Sequence, residues 1–127
     1  MKRRTAREKA FQILFQMDIN EIDDPNEAIE QFLEDEDHDT FLTELVQGVV
    51  EGRQDIDTKI TNHLEKWKID RLPSVEKALL RIATFEMFYG ADTPQGVAIN
   101  EAVELANRYG EEKSGKFING VLSKMIK

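Results

Sequence analysis

The chain has 127 residues, a net charge of -8 and no cysteine. Its length suits one compact domain, and 40% hydrophobic with 33% charged residues can supply both a core and a solvated surface, so disorder is not expected. The lack of cysteine excludes disulfide frameworks, thiolate zinc sites and cysteine nucleophiles. The sequence also has no apolar run near about 20 residues and no signal-peptide core, so it predicts a soluble cytoplasmic protein with no membrane partner.

The charge is distributed unevenly. The first nine residues carry a local charge of +4, from one acid, Glu8, and five basic residues: Lys2, Arg3, Arg4, Arg7 and Lys9. The last fifteen carry another +4, from four lysines and no acid, which leaves -16 for the chain between them. Since salt screens charges beyond about 8–10 Å, these ends predict one electropositive patch on an acidic body if the fold brings them together.

Helical periodicity runs through the first half of the chain. One apolar face predicts a first helix over 4–20, formed by Ala6, Ala10, Ile13, Leu14 and Met17. Asp24, Pro25 and Glu27 form an N-cap, first-turn proline and capping box, which predict a second helix from Pro25 to about Asp35. An acidic connection over 34–39 follows, then a third helix from Thr40 and a fourth through Leu64. Gly48 and Gly52 favour a close helix crossing or a bend.

Pro73 is the clearest boundary, and Ser74 is predicted to cap a fifth helix that reaches about Tyr89. A break over 93–96 precedes a sixth helix, which Gly110 is predicted to end as a left-handed cap. A last helix runs through Met125, and no alternating strand pattern is found. The sequence thus predicts an all-α fold of about seven helices in two small bundles, over 1–72 and 73–127 of a single 1–127 domain.

The arginines at the start of the first helix are the first functional signal. Arg3 and Arg4 each lie about one helical turn from Arg7, so the three guanidinium groups are predicted to form a common strip. Arginine binds phosphate through two hydrogen bonds and stacks on unpaired bases. The alternative is a frayed, solubilising terminus, and the pattern does not distinguish RNA from DNA.

The second signal lies at 113–120, where two lysines, an aromatic ring and an amide open the last helix. Ser114 is predicted to cap this helix and to leave backbone N–H groups free for an anion. Gly115-Lys116 is not a Walker loop, because the glycine spacing and the upstream strand are missing. Phe117 has a second interpretation as a core residue, since it shares a face with Val121.

The remaining polar residues favour structural roles. Glu86 lies toward the apolar face of the fifth helix, so we expect a buried hydrogen bond or a partner cation for it. His38 lies among carboxylates and His63 stands alone, without the spacing of a calcium loop, so no metal is expected. No serine lies in a nucleophile elbow and no nucleotide fingerprint occurs, which argues against an enzyme and against a cofactor.

Three segments together carry a family resemblance. They are Arg3-Arg-Thr-Ala-Arg-Glu-Lys-Ala-Phe-Gln12, Val75-Glu-Lys-Ala-Leu-Leu-Arg-Ile-Ala-Thr-Phe-Glu-Met87, and Val97-Ala-Ile-Asn-Glu-Ala-Val-Glu-Leu-Ala106 followed by Lys116-Phe-Ile-Asn-Gly-Val-Leu122. In this order and spacing, which cover essentially the whole chain, the sequence resembles the bacterial transcription antitermination NusB family.

The resemblance implies two helical bundles that bind the boxA element of nascent ribosomal-RNA and antiterminated transcripts. It implies NusE, the small-subunit ribosomal protein, as a partner, and a place beside the elongating RNA polymerase and other Nus factors. By motif position the RNA-facing candidates are Lys2, Arg3, Arg4, Arg7, Gln12, Lys116, Phe117 and Asn119. The NusE-facing candidates are Glu76, Lys77 and Arg81. Lys113 departs from the acidic or small residue that is common in the family.

Two other classes of protein stay open at this point. One is a helical module that binds only proteins, for instance as a homodimer with solubilising ends. The other is the RNA-binding domain of an RNA cytosine methyltransferase, which has a NusB-like N-terminal region. That enzyme needs a downstream cofactor-binding domain and a catalytic cysteine, and the sequence contains neither.

Overall fold

The computed structural model describes residues 1–33, 39–66, 68–90 and 92–126. Within these ranges the chain forms seven α-helices, one 3₁₀ turn at Ile69–Arg71 and no strand, which confirms the all-α prediction. The helices are α1 (Arg3–Asn20), α2 (Pro25–Phe32), α3 (Thr40–Glu51), α4 (Arg53–Thr61), α5 (Ser74–Phe88), α6 (Gln95–Tyr109) and α7 (Ser114–Lys124). No helix in the described ranges has both the length and the apolar character needed to span a bilayer.

Helix α5 is the centre of the fold, because every residue from Ala78 to Met87 is buried. It packs on α1, α3 and α4 from the first part of the chain and on α6 and α7 from the second. The two groups of helices therefore meet on α5, and their apolar residues form one continuous cluster. The division into subdomains near residue 73 stays a prediction from the sequence.

Helix α1 crosses α5 in the opposite direction. Arg7 lies against Glu86 near the end of α5, whereas Asp18 lies against Ser74 at its start. The predicted apolar face of α1 is confirmed, since its buried residues include Ala6, Ala10, Ile13, Leu14 and Met17. This antiparallel packing places the basic start of α1 beside the C-terminal end of α5 and the N-terminal part of α6.

Helix α2 begins as predicted and ends earlier. The Asp24 side chain accepts a hydrogen bond from the Asn26 N–H at 3.0 Å, and Pro25 is the first helical residue. The predicted continuation to Asp35 is wrong at Leu33, which has extended backbone and packs against the core. Residues 34–38, which include His38 and most of the predicted acidic connection, lie outside the described residues.

Neither predicted serine cap forms. Ser74 and Ser114 are each the first residue of their helix, so Pro73 and Lys113 occupy the cap positions. The Ser74 hydroxyl donates to Asp18, and the Ser114 hydroxyl donates to Glu76 Oε1 at 3.1 Å. Both predictions are wrong because these hydroxyls bind carboxylates of another helix instead of the backbone of their own.

Two glycines are explained by close approach. Gly110 has φ -94° and ψ -175°, so the predicted left-handed cap is wrong. A Cβ there would lie 2.6 Å from Ser114 Oγ and 2.8 Å from the Ala106 carbonyl oxygen, which leaves room only for glycine. A Cβ at Gly48 would lie 2.2 Å from the ring of Phe85, which confirms the predicted close crossing, here of α3 on α5. Gly52 separates α3 from α4, as a bend residue.

Candidate functional site

Arg7 lies in the interior, with only 4% of its surface exposed. Its Nε and Nη2 atoms each donate to a Glu86 carboxylate oxygen at 2.7 Å, and Nη1 donates to Glu101 Oε1 at 3.3 Å. Thr93 adds a hydroxyl donor to Glu86 at 3.0 Å. The prediction that Glu86 is buried with a hydrogen bond or a partner cation is confirmed. The prediction of an exposed Arg7 is wrong, because a buried carboxylate needs a cation and Arg7 supplies it.

Arg4 lies above this pair at the surface, with 68% of its side chain exposed. Its Nε and Nη2 atoms donate to the two oxygens of Glu101 at 3.1 and 2.8 Å. These hydrogen bonds lower the pKa of Glu101 below its ordinary value and raise the pKa of Arg4. At neutral pH the pair is therefore fully ionised, in the two-bond geometry that arginine also uses for phosphate.

Arg3 is the third arginine of the predicted strip, and it stacks on an aromatic ring. Its guanidinium carbon lies 4.5 Å from the centroid of Phe41, whose ring also faces Arg7 at 5.4 Å. In the described part of the chain Arg3 contacts no carboxylate. Arg3 and Arg4 line an open groove of about 290 Å³, which we call the arginine groove; its other walls are Arg7, Asp92, Thr93, Pro94, Val97 and Glu101. Lys2 is exposed and lies just before the first turn of α1.

Gln12 lies two turns further along α1, at a seam with α6. Its amide donates to the Tyr109 hydroxyl at 3.0 Å, and that hydroxyl donates to Glu8. Arg108 also donates to Glu8, at 2.9 Å. Gln12 is thus exposed but already hydrogen-bonded. Sequence reasoning did not predict this polar seam, because its partners on α1 and α6 are about 100 residues apart.

Lys116 and Phe117 lie on a second groove, between α7 and the turn after α4. This α7 groove has a volume of about 260 Å³ and is lined by His63, Leu64, Glu65, Lys66, Lys116, Phe117, Gly120, Val121 and Lys124. Lys116 is exposed, while Phe117 both packs on the core and faces the groove, so its two interpretations are compatible. Asn119 is exposed on the same helix and accepts a hydrogen bond from Ser123 at 3.4 Å.

Sequence reasoning missed most of the residues that line the α7 groove, among them His63, Leu64 and Lys124. His63 and Leu64 come from the turn after α4, and Lys124 from the far end of α7, where it pairs with Glu65 at 2.9 Å. No motif links these positions, because tertiary packing alone brings them together. His63 also contacts the Lys59 carbonyl oxygen through Nδ1, at 2.8 Å.

The two basic ends are anchored at different points of α5, and the single electropositive patch that the charge pattern indicates stays a prediction. Ser114, at the start of α7, binds Glu76, while Arg7 binds Glu86. These anchor points are ten residues apart on α5, or about 15 Å of helix. The arginine groove and the α7 groove share no lining residue. The chain therefore presents two basic grooves with different lining residues.

The three predicted partner-facing residues differ in exposure. Arg81 is buried and donates to both oxygens of Asp57, at 2.8 and 3.0 Å, so its prediction as a surface residue is wrong: it neutralises a carboxylate of α4. Lys77 pairs with Asp18 at 3.1 Å and Glu76 accepts from Ser114, and both are half-buried. Lys77 thereby lies beside a groove of about 560 Å³ between α1, α3 and α5, the α1–α5 groove, whereas Glu76 faces the start of α7. The groove lining includes Leu14, Met17, Asp18, Ile22, Arg53, Ala78 and Arg81.

The described residues contain no group of three or more histidines, aspartates or glutamates placed to hold a metal ion. The fold and the grooves thus define a class: a small all-α protein with two basic grooves on a chain of net negative charge. The NusB family model matches residues 4–127, and the chain belongs to the NusB family.

Related proteins match this chain in sequence along nearly its whole length. The chain is 56% identical to the transcription antitermination protein NusB of Oceanobacillus iheyensis, over 99% of both chains. It is 53% identical to that of Bacillus subtilis, over 97% of this chain and 93% of the relative. The chain is therefore a transcription antitermination factor of this family.

Solved structures give the same result. T. maritima NusB superposes with a TM-score of 0.89 at 39% identity, over 98% of this chain and 90% of that one. A crystal structure of the antitermination factors NusB and NusE in complex with dsRNA matches with a TM-score of 0.86 at 32% identity, over 97% of this chain and 94% of that one.

Proposed function

We propose that this chain binds boxA RNA of nascent ribosomal-RNA and antiterminated transcripts together with NusE, and that it thereby joins the elongating RNA polymerase and other Nus factors. It acts by binding, in the cytoplasm, without catalysis and without a cofactor. The family assignment supports this proposal, as does the solved NusB–NusE complex with RNA. The observation that carries it is the pair of basic grooves, each with an exposed cation beside an aromatic ring.

The two grooves and the exposed residues beside them together contain the groups that single-stranded RNA needs. Arg3, Arg4 and Lys116 offer charge to phosphates, with Lys2 beside the first groove. Phe117 offers a ring face on which an unpaired base can stack, and Asn119 an amide for base edges. Gln12 takes part only if a base replaces its bond to Tyr109. Arg7 acts indirectly, by fixing the start of α1 against Glu86.

NusE is proposed to bind on the face that contains the α1–α5 groove. Lys77 is half-buried beside it and Glu76 is half-buried nearby on α5, where it faces the start of α7, so both are accessible to a partner. Arg81 is buried and supports this face through Asp57. The chain between the basic ends carries -16, and this charge favours a basic ribosomal protein. If NusE binding strengthens RNA binding, RNA must strengthen NusE binding by the same factor.

Fluorescence anisotropy with a short boxA RNA and a scrambled control, with and without NusE, tests the proposal. The expected result is preferential boxA binding that NusE strengthens, and that Arg3→Ala/Arg4→Ala and Lys116→Ala/Phe117→Ala each weaken. Equal binding of both RNAs, unaffected by NusE or by either double variant, would instead favour a module that binds only proteins. Light scattering of the free chain separately distinguishes a monomer from a homodimer.

A further inference from the structure

Arg4 is unusual among the proposed phosphate ligands, because an internal carboxylate already occupies its guanidinium group. Both bonding distances to Glu101, 3.1 and 2.8 Å, are those of an ordinary two-bond pair. An RNA phosphate would present its oxygens to the same two N–H groups. Phosphate and Glu101 therefore compete for one site.

The two partners of this pair are held very differently. Glu101 has 13% of its side chain exposed and also accepts a hydrogen bond from Arg7, which Glu86 fixes in turn. Arg4 has 68% of its side chain exposed, and within the described residues its side chain donates hydrogen bonds to Glu101 alone. If the pair opens, Glu101 therefore keeps a cation in Arg7, and Arg4 is the residue that moves.

We propose that Glu101 competes with RNA phosphate for Arg4, so that RNA binds in the arginine groove by exchanging one anion for another. This inference rests on the proposed function and adds a residue that no RNA-binding motif indicated. An exposed ion pair is weak, so a strand that other contacts already hold can displace it. The competition lowers the affinity for every RNA, and only strands that also bind in the α7 groove remain bound.

A matched pair of substitutions on α6 tests the exchange. Glu101→Gln removes the competing charge, and Glu104→Gln removes the same charge one helical turn away, where an exposed carboxylate acts on Arg4 by charge alone. Glu101→Gln should tighten binding roughly two- to fivefold, equally for boxA and scrambled RNA, since a phosphate contact carries no sequence information. Glu104→Gln should change the RNA affinity clearly less than Glu101→Gln does.

The Arg4→Ala background completes the experiment. If Glu101 acts through Arg4, the gain from Glu101→Gln should largely disappear there. Should Glu101→Gln prove too unstable, Glu101→Asp shortens the carboxylate, loosens the pair and should tighten binding to a smaller extent. Equal effects of the two glutamine variants, or a gain that persists without Arg4, would overturn the inference.

Failure of this inference is distinguishable from failure of the proposed function. Wild type that prefers boxA, and loses affinity on Lys116→Ala, supports the proposed function whatever the Glu101 variants do. Wild type that binds boxA and scrambled RNA alike, with no effect of Lys116→Ala, contradicts the proposed function and the exchange together.

Discussion

The Arg7 guanidinium and the Glu86 carboxylate form a two-bond ion pair in the interior, with both N···O distances at 2.7 Å. The residues are 79 positions apart in the chain, and 4% and 2% of their surfaces are exposed. This pair joins the start of α1 to the end of α5, and so holds the arginine groove in place.

Removal of Arg7 should destabilise the fold before it affects any ligand. Arg7→Ala leaves Glu86 buried without its cation, and the free energy of unfolding should fall by about 3–5 kcal/mol in urea titrations. Arg3→Ala, at the exposed end of the same helix, loses only the stacking on Phe41 and should lower the free energy of unfolding by less than about 1 kcal/mol. An Arg7→Ala protein as stable as wild type would contradict this structural role of Arg7.

Two glycines should respond to alanine in opposite directions. Gly110→Ala should destabilise by about 1–3 kcal/mol, although its φ is negative, because the new Cβ would overlap Ser114 and the Ala106 carbonyl. Gly120→Ala lies inside α7 with nothing within 4 Å of a Cβ, and should stabilise by about 0.5–1 kcal/mol. Thermal and urea unfolding measure both. A neutral Gly110→Ala would mean that α6 and α7 separate easily at their junction.

Asp18 should make stability depend on acidic pH. Burial alone would raise its pKa, but hydrogen bonds from Ser74 and Lys77, with the charges of Lys77 and Arg81, outweigh burial and lower the pKa below its ordinary 3.8. A depressed folded-state pKa adds stability above the unfolded-state pKa, and this contribution is lost as pH falls through the folded value.

Urea unfolding across acidic pH measures this contribution. Asp18→Asn should flatten the loss of stability below about pH 4, although Glu8 and Glu101, whose pKa values are also lowered, should keep part of it. Asp23→Asn, at an exposed carboxylate on the same groove, is the matched control. Identical pH profiles for wild type and Asp18→Asn would contradict this role.

Phe117 should serve two functions that one substitution can separate. Phe117→Leu keeps an apolar side chain against the core and should cost less than about 1.5 kcal/mol of stability. It removes the ring, so RNA affinity should fall by about 1–3 kcal/mol if a base stacks there. Parallel urea and anisotropy titrations give both values. Unchanged RNA affinity would assign Phe117 to the core alone.

Local patterns predicted the helices well, because apolar periodicity depends on near neighbours. The apolar face of α1, the start of α2 at Asp24 and the buried role of Glu86 all followed from residues close in sequence. The roles of the glycine and serine residues at helix ends were harder to predict from the sequence. Gly110 meets Ser114 at the junction of α6 and α7, Ser114 also binds Glu76 of α5, and those contacts decide their roles.

The arrangement of the candidate site could not be predicted from the sequence. Arg7 and Arg81 are buried because each meets a carboxylate from a distant helix, Glu86 and Asp57, and such pairing is not visible in a local motif. The α7 groove also depends on His63 and Leu64, which only packing brings to Lys116.

The salt dependence of boxA binding tests the central claim most directly, namely that two separate grooves neutralise RNA phosphates. With Arg7 buried, Lys2, Arg3, Arg4 and Lys116 remain, and four contacts give a slope of log affinity against log salt of about -2.8 for a single strand. Arg4→Ala and Lys116→Ala should each reduce the slope by about 0.7, and together by about twice that. A slope near zero, or one that neither variant changes, would contradict the account.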